Sequence, residues 1–223
     1  MTGLCVSILH TYRKFCATAS SSGQLILPEA LKLLPLYTLA LTKSIGLRPD
    51  VRIDDRSYWI TRVASISDSL AVPLVYPRMF AIHNLTLKDT VTSVLPSSLP
   101  LSSEHIDNSG VFLLENGEDA LIYAGKAVSA DVLQQLFGVS SVDEIPDQFL
   151  LQDYGNDLSR KLNEVVNEIR RQRCSYLRLR VCKRAEPAEF LFFSFMVEDK
   201  NALGSSYVEY LVHVHRQIQN KLT

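Results

Sequence analysis

Hydrophobic and polar residues follow one rhythm in the first part of this chain and another in the second. Leu4, Ile8, Tyr12, Phe15 and Ala19 recur every three or four residues, which predicts a helix with one apolar stripe. The stretch SSSGQ then breaks the pattern. Pro28 can open a second helix, because its missing N–H would be unpaired there in any case. That helix is expected to run through EALKLLPLYTLALTKSIG, to kink at Pro35 and to stop near Gly46. Apolar residues surround it, so deep packing is expected. In DDRSYWITRVAS, Asp54 or Asp55 can cap a third helix that buries Tyr58, Trp59 and Val63.

LAVPLVYPRMFAI carries two prolines and reads as irregular. TSVLPSSLPLSSEH, from Thr92 to His105, is rich in Ser and Pro and has no period, which marks a linker and a domain boundary. Beyond it, Val111–Leu114 and Ala120–Tyr123 are two apolar arms joined by Glu115, Asn116, Gly117, Glu118 and Asp119. This is a hairpin in which Gly117 is free to take a positive φ. SADVLQQLFG predicts a short helix ending at Gly138. DLSRKLNEVVNEIRRQR places Leu158, Leu162, Val165, Val166 and Ile169 on one helical face, with arginines at the C-terminal end favoured by the macrodipole.

YLRLRVCK alternates, so Leu177, Leu179 and Val181 are expected to face a core. FLFFSFMV is apolar almost throughout and reads as a central strand covered on both faces. In SSYVEYLVHVHRQIQNKL, Ser206 and Glu209 have capping-box spacing. Tyr207, Tyr210, Leu211, Val214, Ile218 and Leu222 supply the buried stripe of that last helix. The fold class is therefore α+β: helices first, then a sheet with helices packed on its faces.

Composition refines this picture in three ways. With 223 residues, 47% hydrophobic and 21% charged, the chain can bury a sizeable core, and disorder over most of it is excluded. Mean hydropathy is slightly positive, which points to surface intended for a partner or to elements that lack part of their core. The net charge of −1 is unevenly spread. Between Arg160 and Arg184 nine basic residues stand against only Glu164 and Glu168. Arg170, Arg171, Arg173, Arg178, Arg180, Lys183 and Arg184 are the candidate docking surface, competing with a plain solvated helix face and strand edge.

Standard site motifs are absent. No GxGxxG, GxSxG or HExxH occurs, and Gly125-Lys126 is followed by Ala127, which excludes a phosphate loop. Cys5, Cys16, Cys174 and Cys182 contain no CxxC pair, and reduced thiols are the simplest reading. His213 and His215, two apart on a helix, point roughly 200° apart, the wrong geometry for chelation. Glu115, Asn116, Glu118 and Asp119 could offer oxygens to calcium with help from Glu164 or Glu168. Their spacing is not that of an EF-hand, and a solvated bend explains the same residues. Neither a signal peptide nor a membrane-spanning run is predicted, and Asn84-Leu85-Thr86 matters only in a secretory lumen.

Several stretches together resemble a known family. GVFLLENGEDALIYAGK is similar to the first hairpin of a gelsolin-like domain. LILPEALKLLPLYTLALTKSIGLR, RIDDRSYWI, PLVYPRM, PLSSEHI, NEVVNEIRRQRCSYLRLRVCK and SYVEYLVHVHRQIQNKLT resemble, in order, the C-terminal part of the Sec24 family. These are the cargo-adaptor subunits of the COPII inner coat, and the likeness extends from about Thr11 to Thr223. The resemblance implies a partial helical domain at 1–91, a linker at 92–109 and a gelsolin-like domain at 110–223. It further implies cargo selection by protein–protein binding in transport from the endoplasmic reticulum to the Golgi, with no enzymatic activity.

The implied partners are the sister inner-coat subunit and cargo proteins, with peripheral association with the endoplasmic reticulum membrane and coated vesicles from the cytoplasm. No nucleic acid is implied, and no cofactor, since the family's zinc finger lies outside this chain. The family's trunk and β-sandwich are expected to be missing, with the helical domain beginning midway and Met1 an in-frame start. The alternative reading is a gelsolin relative that binds actin or phosphoinositide. A third is a truncated product with little activity of its own.

Overall fold

The computed structural model describes residues 1–16, 24–25, 27–85, 94–146, 149–183 and 187–222. Ala19, the break at 20–23, the first residues of the expected linker, Thr86 of the sequon and Arg184 lie outside the described residues. The chain divides into two compact units, one made of Met1–Ser65 with Val197–Thr223, the other of Ile66–Met196.

The first unit holds helices α1 (Thr2–Phe15), α2 (Leu34–Lys43), α3 (Ile53–Ser65) and α8 (Tyr207–Leu222). Helix α1 forms as expected, but the face it buries is Cys5, Val6 and Leu9. Leu4, Ile8 and Phe15 of the expected stripe are exposed. The helix is apolar on two sides, and periodicity finds a stripe without saying which side is covered. Pro28 leads into a single 3-10 turn, Glu29–Leu31. Pro35 stands in the first turn of α2 instead of kinking a longer helix; there its missing N–H costs nothing.

In α3 Asp54 and Asp55 lie inside the first turn, and no residue is fully buried. Tyr58 is exposed, contrary to the expected packing. Trp59 is half-buried and lies against Gly46, where an added Cβ would fall 2.3 Å from the indole ring. Helix α8 begins as expected. The Ser206 hydroxyl accepts the Glu209 N–H at 3.3 Å and the Glu209 carboxylate accepts the Ser206 N–H at 3.0 Å.

Helix α8 buries Tyr210, Val214 and Ile218 and packs against α1 and α2. The Tyr210 hydroxyl meets the Thr2 hydroxyl at 3.4 Å. Three-part division by composition follows sequence order, whereas by packing the last helix joins the first ones.

The second unit contains α4 (Asp68–Val75), α5 (Ala130–Phe137), α6 (Asp157–Arg171) and α7 (Pro187–Ser194). Its strands are β1 (Arg78–Ala81), β2 (Val111–Glu115), β3 (Asp119–Ala124) and β4 (Arg178–Cys182). Strand order is β1-β2-β3-β4. The first two pairings are antiparallel and β3/β4 is parallel, with α5 and α6 in the crossover between β3 and β4. Both arms of the hairpin lie where the sequence puts them. So does α6, which buries Leu158, Leu162, Val165, Val166 and Ile169.

Leu177, Leu179 and Val181 join these residues in one core with Leu113, Ile122, Leu133, Phe137 and Phe149. Helix caps fix the crossover. The Asn156 side chain accepts the Ser159 N–H at 2.8 Å and donates to the Gln135 carbonyl at 3.0 Å, tying the start of α6 to α5. Gly138 closes α5 at φ +70°, beneath the ring of Tyr154.

Two expectations fail in this unit, and the failures compensate. FLFFSFMV is not a strand: helix α7 covers Pro187–Ser194, and of its residues Phe192 is buried while Phe190 is exposed. Pro187 at the first helical position and Glu189 in the first turn are start signals that outweigh a short apolar run. The fourth strand comes instead from the stretch read as irregular. Pro73 lies within α4, and Pro77 precedes β1, whose Met79 and Phe80 are buried. The described part of the Ser/Pro-rich stretch is packed as well. Leu99 donates its N–H to the Met79 carbonyl at 2.7 Å, and Leu101 is fully buried.

On the sheet face opposite Ile122, Tyr123 stacks on Phe192 with ring centroids 5.0 Å apart, which seats α7.

Candidate functional site

The acidic hairpin turn and the basic stretch are the two sequence features with chemical content, and the fold brings them together. Glu115 ends β2, and its side chain is 1% exposed. Its Oε1 accepts from Arg173 Nη1 at 2.7 Å and from the Gly117 N–H at 2.9 Å. Its Oε2 accepts from Arg78 Nε at 3.0 Å, and Arg78 Nη2 lies 3.0 Å away as well. Arg173, 6% exposed, also donates from Nη2 to the Gly117 carbonyl at 2.6 Å.

One buried carboxylate thus joins β1, the turn and the segment after α6. Burying such charges is tolerated because each has a hydrogen-bonded partner.

The remaining turn residues are similarly engaged. Asn116 Oδ1 accepts the N–H groups of Glu118 (3.0 Å) and Asp119 (2.8 Å), a local turn that the sequence type favours. Asp119 accepts from Arg178 through both oxygens at 3.1 Å, with Arg180 at 3.5 Å. This hydrogen-bonded carboxylate pushes the Arg178 guanidinium pKa above its ordinary value. Glu118 is exposed. Gly117 takes φ +88° and lies against Leu74 of α4, so the bend serves as a packing surface.

Of the further calcium candidates, Glu164 pairs with Lys161 at 3.1 Å and Glu168 pairs with Arg171 at 2.5 Å. Among the described residues no three His, Cys, Asp or Glu side chains group around a possible ion.

The candidate docking residues divide by environment. Arg173 is turned inward. Arg171, Arg178 and Arg180 remain substantially exposed, with side-chain exposures of 70%, 64% and 41%, although each has a carboxylate neighbour. Arg170 is half-buried with its guanidinium 5.6 Å from the ring of exposed Tyr176, and Lys183 is half-buried. Arg184 lies outside the described residues.

Sequence reading missed Arg78, which stands between Pro77 and an apolar strand, far from the basic stretch. An arginine opening an otherwise buried strand was the available signal. It also missed Lys43, a buried side chain whose ammonium donates to the carbonyls of Val197 and Asp199 at 2.8 Å each. Burial lowers its pKa, and Asp199 and Glu209 oppose that shift.

The other candidate groups are dispersed. Cys5 and Cys182 are buried while Cys16 and Cys174 are exposed, and none of the four is in a disulfide. Burial raises the Cys5 pKa, the reverse of what a nucleophile needs. His213 is exposed, and His215 Nε2 lies 3.4 Å from Gln219 Nε2. Among the described residues no helix is long and apolar enough to cross a membrane.

A helical unit and a mixed four-stranded sheet with a braced acidic turn define an α+β protein of helical plus gelsolin-like type. Comparison with known proteins matches two stretches of the chain. Residues 1–73 match the Sec23/Sec24 helical domain, and residues 92–166 match the gelsolin repeat. The protein transport protein SEC24 C of Arabidopsis thaliana is 66% identical over 221 residues, which cover 99% of this chain and 20% of that protein. Human protein transport protein Sec24C is 38% identical, covering 98% of this chain and 20% of that protein.

The crystal structure of the human COPII-coat protein Sec24c superposes with a TM-score of 0.86 at 36% identity, covering 100% of this chain and 29% of that one. The chain belongs to the Sec24 family, and it spans about a fifth of the length of the curated relatives it matches.

Proposed function

We propose that this chain acts as a non-enzymatic component of the COPII coat, in protein transport from the endoplasmic reticulum to the Golgi, by binding other proteins. The observation that carries this reading is 66% identity to a protein transport protein sustained over 99% of the chain. Its partners on this reading are the sister inner-coat subunit and cargo proteins, met in the cytoplasm at the surface of the endoplasmic reticulum and of coated vesicles. No cofactor and no nucleic acid take part.

Arg171, Arg178 and Arg180, with Arg170, Lys183 and Arg184, serve as docking cations for acidic partner surfaces. Arg173 acts as the brace that holds the hairpin turn. Exposed cations of this kind steer association and set its salt dependence more than they add affinity.

Recruitment to liposomes of endoplasmic-reticulum composition tests the proposal. Binding of the purified chain only when the other coat components are present is the expected result. Binding without them, or none with the full set, overturns it. The gelsolin-repeat match is a likeness of fold, and the turn oxygens that calcium would need are largely held by arginines and backbone N–H groups. Calcium-dependent co-sedimentation with actin filaments would nevertheless restore the actin-binding reading.

A further inference from the structure

We draw no further inference here: the strongest candidate, the exposed apolar face of α1 formed by Met1, Leu4, Ile8 and Phe15, has nothing in the structure to show what covers it.

Discussion

Arg173 reaches from the segment after α6 to Glu115 at the end of β2, 58 positions earlier, and closes an ion pair of 2.7 Å between two buried side chains. Because Arg78 holds the other oxygen of the same carboxylate, removing Glu115 takes the charged partner from two guanidinium groups at once. Glu115→Ala is expected to destabilise the second unit by about 3–5 kcal/mol. Glu118→Ala, at an exposed position in the same turn, should stay within about 0.5 kcal/mol. Urea unfolding of both variants measures this, and a loss below about 1 kcal/mol for the first would show that the pair is dispensable.

Gly117 combines a positive φ of +88° with close contact to Leu74, where an added Cβ would stand 2.6 Å from that side chain. Gly117→Ala should cost about 1–3 kcal/mol, from backbone strain plus the clash. Adding Leu74→Ala removes the side-chain clash and leaves the strain and the 3.0 Å approach to the Leu74 backbone nitrogen. The double variant should therefore lose less than the sum of the two single changes. Strict additivity in a double-mutant cycle would show that the two residues do not meet.

Lys43 holds the carbonyls of Val197 and Asp199. Lys43→Met keeps the apolar stem but leaves both acceptors without their donor, and the expected loss is about 1–3 kcal/mol. Amide exchange near the start of α8 should quicken in the same variant. Unchanged stability with unchanged exchange would remove the lysine as an anchor.

Glu209 is held below its ordinary pKa of 4.5, first by the Lys200 ammonium at 2.8 Å and then by the Ser206 N–H. A depressed folded-state value means that the stabilisation is present in full above the unfolded value near pH 4.5. It is lost as the pH falls through the folded value. Thermal midpoints recorded from pH 7 down to pH 3 should fall more steeply in the native chain than in Glu209→Gln. Parallel curves would contradict the linkage.

Much of this fold was readable because it follows local rules. The hairpin, the ends of α5 and α8, and the buried face of α6 each combine a period with a cap or a glycine that points the same way. Two kinds of information were missing. Short apolar runs do not distinguish strand from helix, so Phe190–Val197 reads as a strand although α7 takes its first half, and Arg78–Ala81 reads as irregular because Pro73 and Pro77 precede it.

Local pattern also does not say which of two apolar faces meets a neighbour, so Leu4, Ile8 and Phe15, expected inside on α1, lie outside. At the turn, the sequence identified the acids and, separately, the arginines. Their pairing is long-range, and only the parallel placement of β4 beside β3 brings Arg178 and Arg180 to Asp119.

Helix α8 follows α1, α2 and the whole sheet unit in the order of synthesis, yet Tyr210, Val214 and Ile218 belong to the interior of the unit that holds α1 and α2. On the ribosome the sheet unit can therefore mature first, while α1 and α2 wait with their inner faces open. At about 5–20 residues per second the stretch from Lys43 to Leu222 takes about 9–36 s to make. A nascent chain stalled before Tyr207 would display those faces to chaperones, and release of α8 is the step that withdraws them.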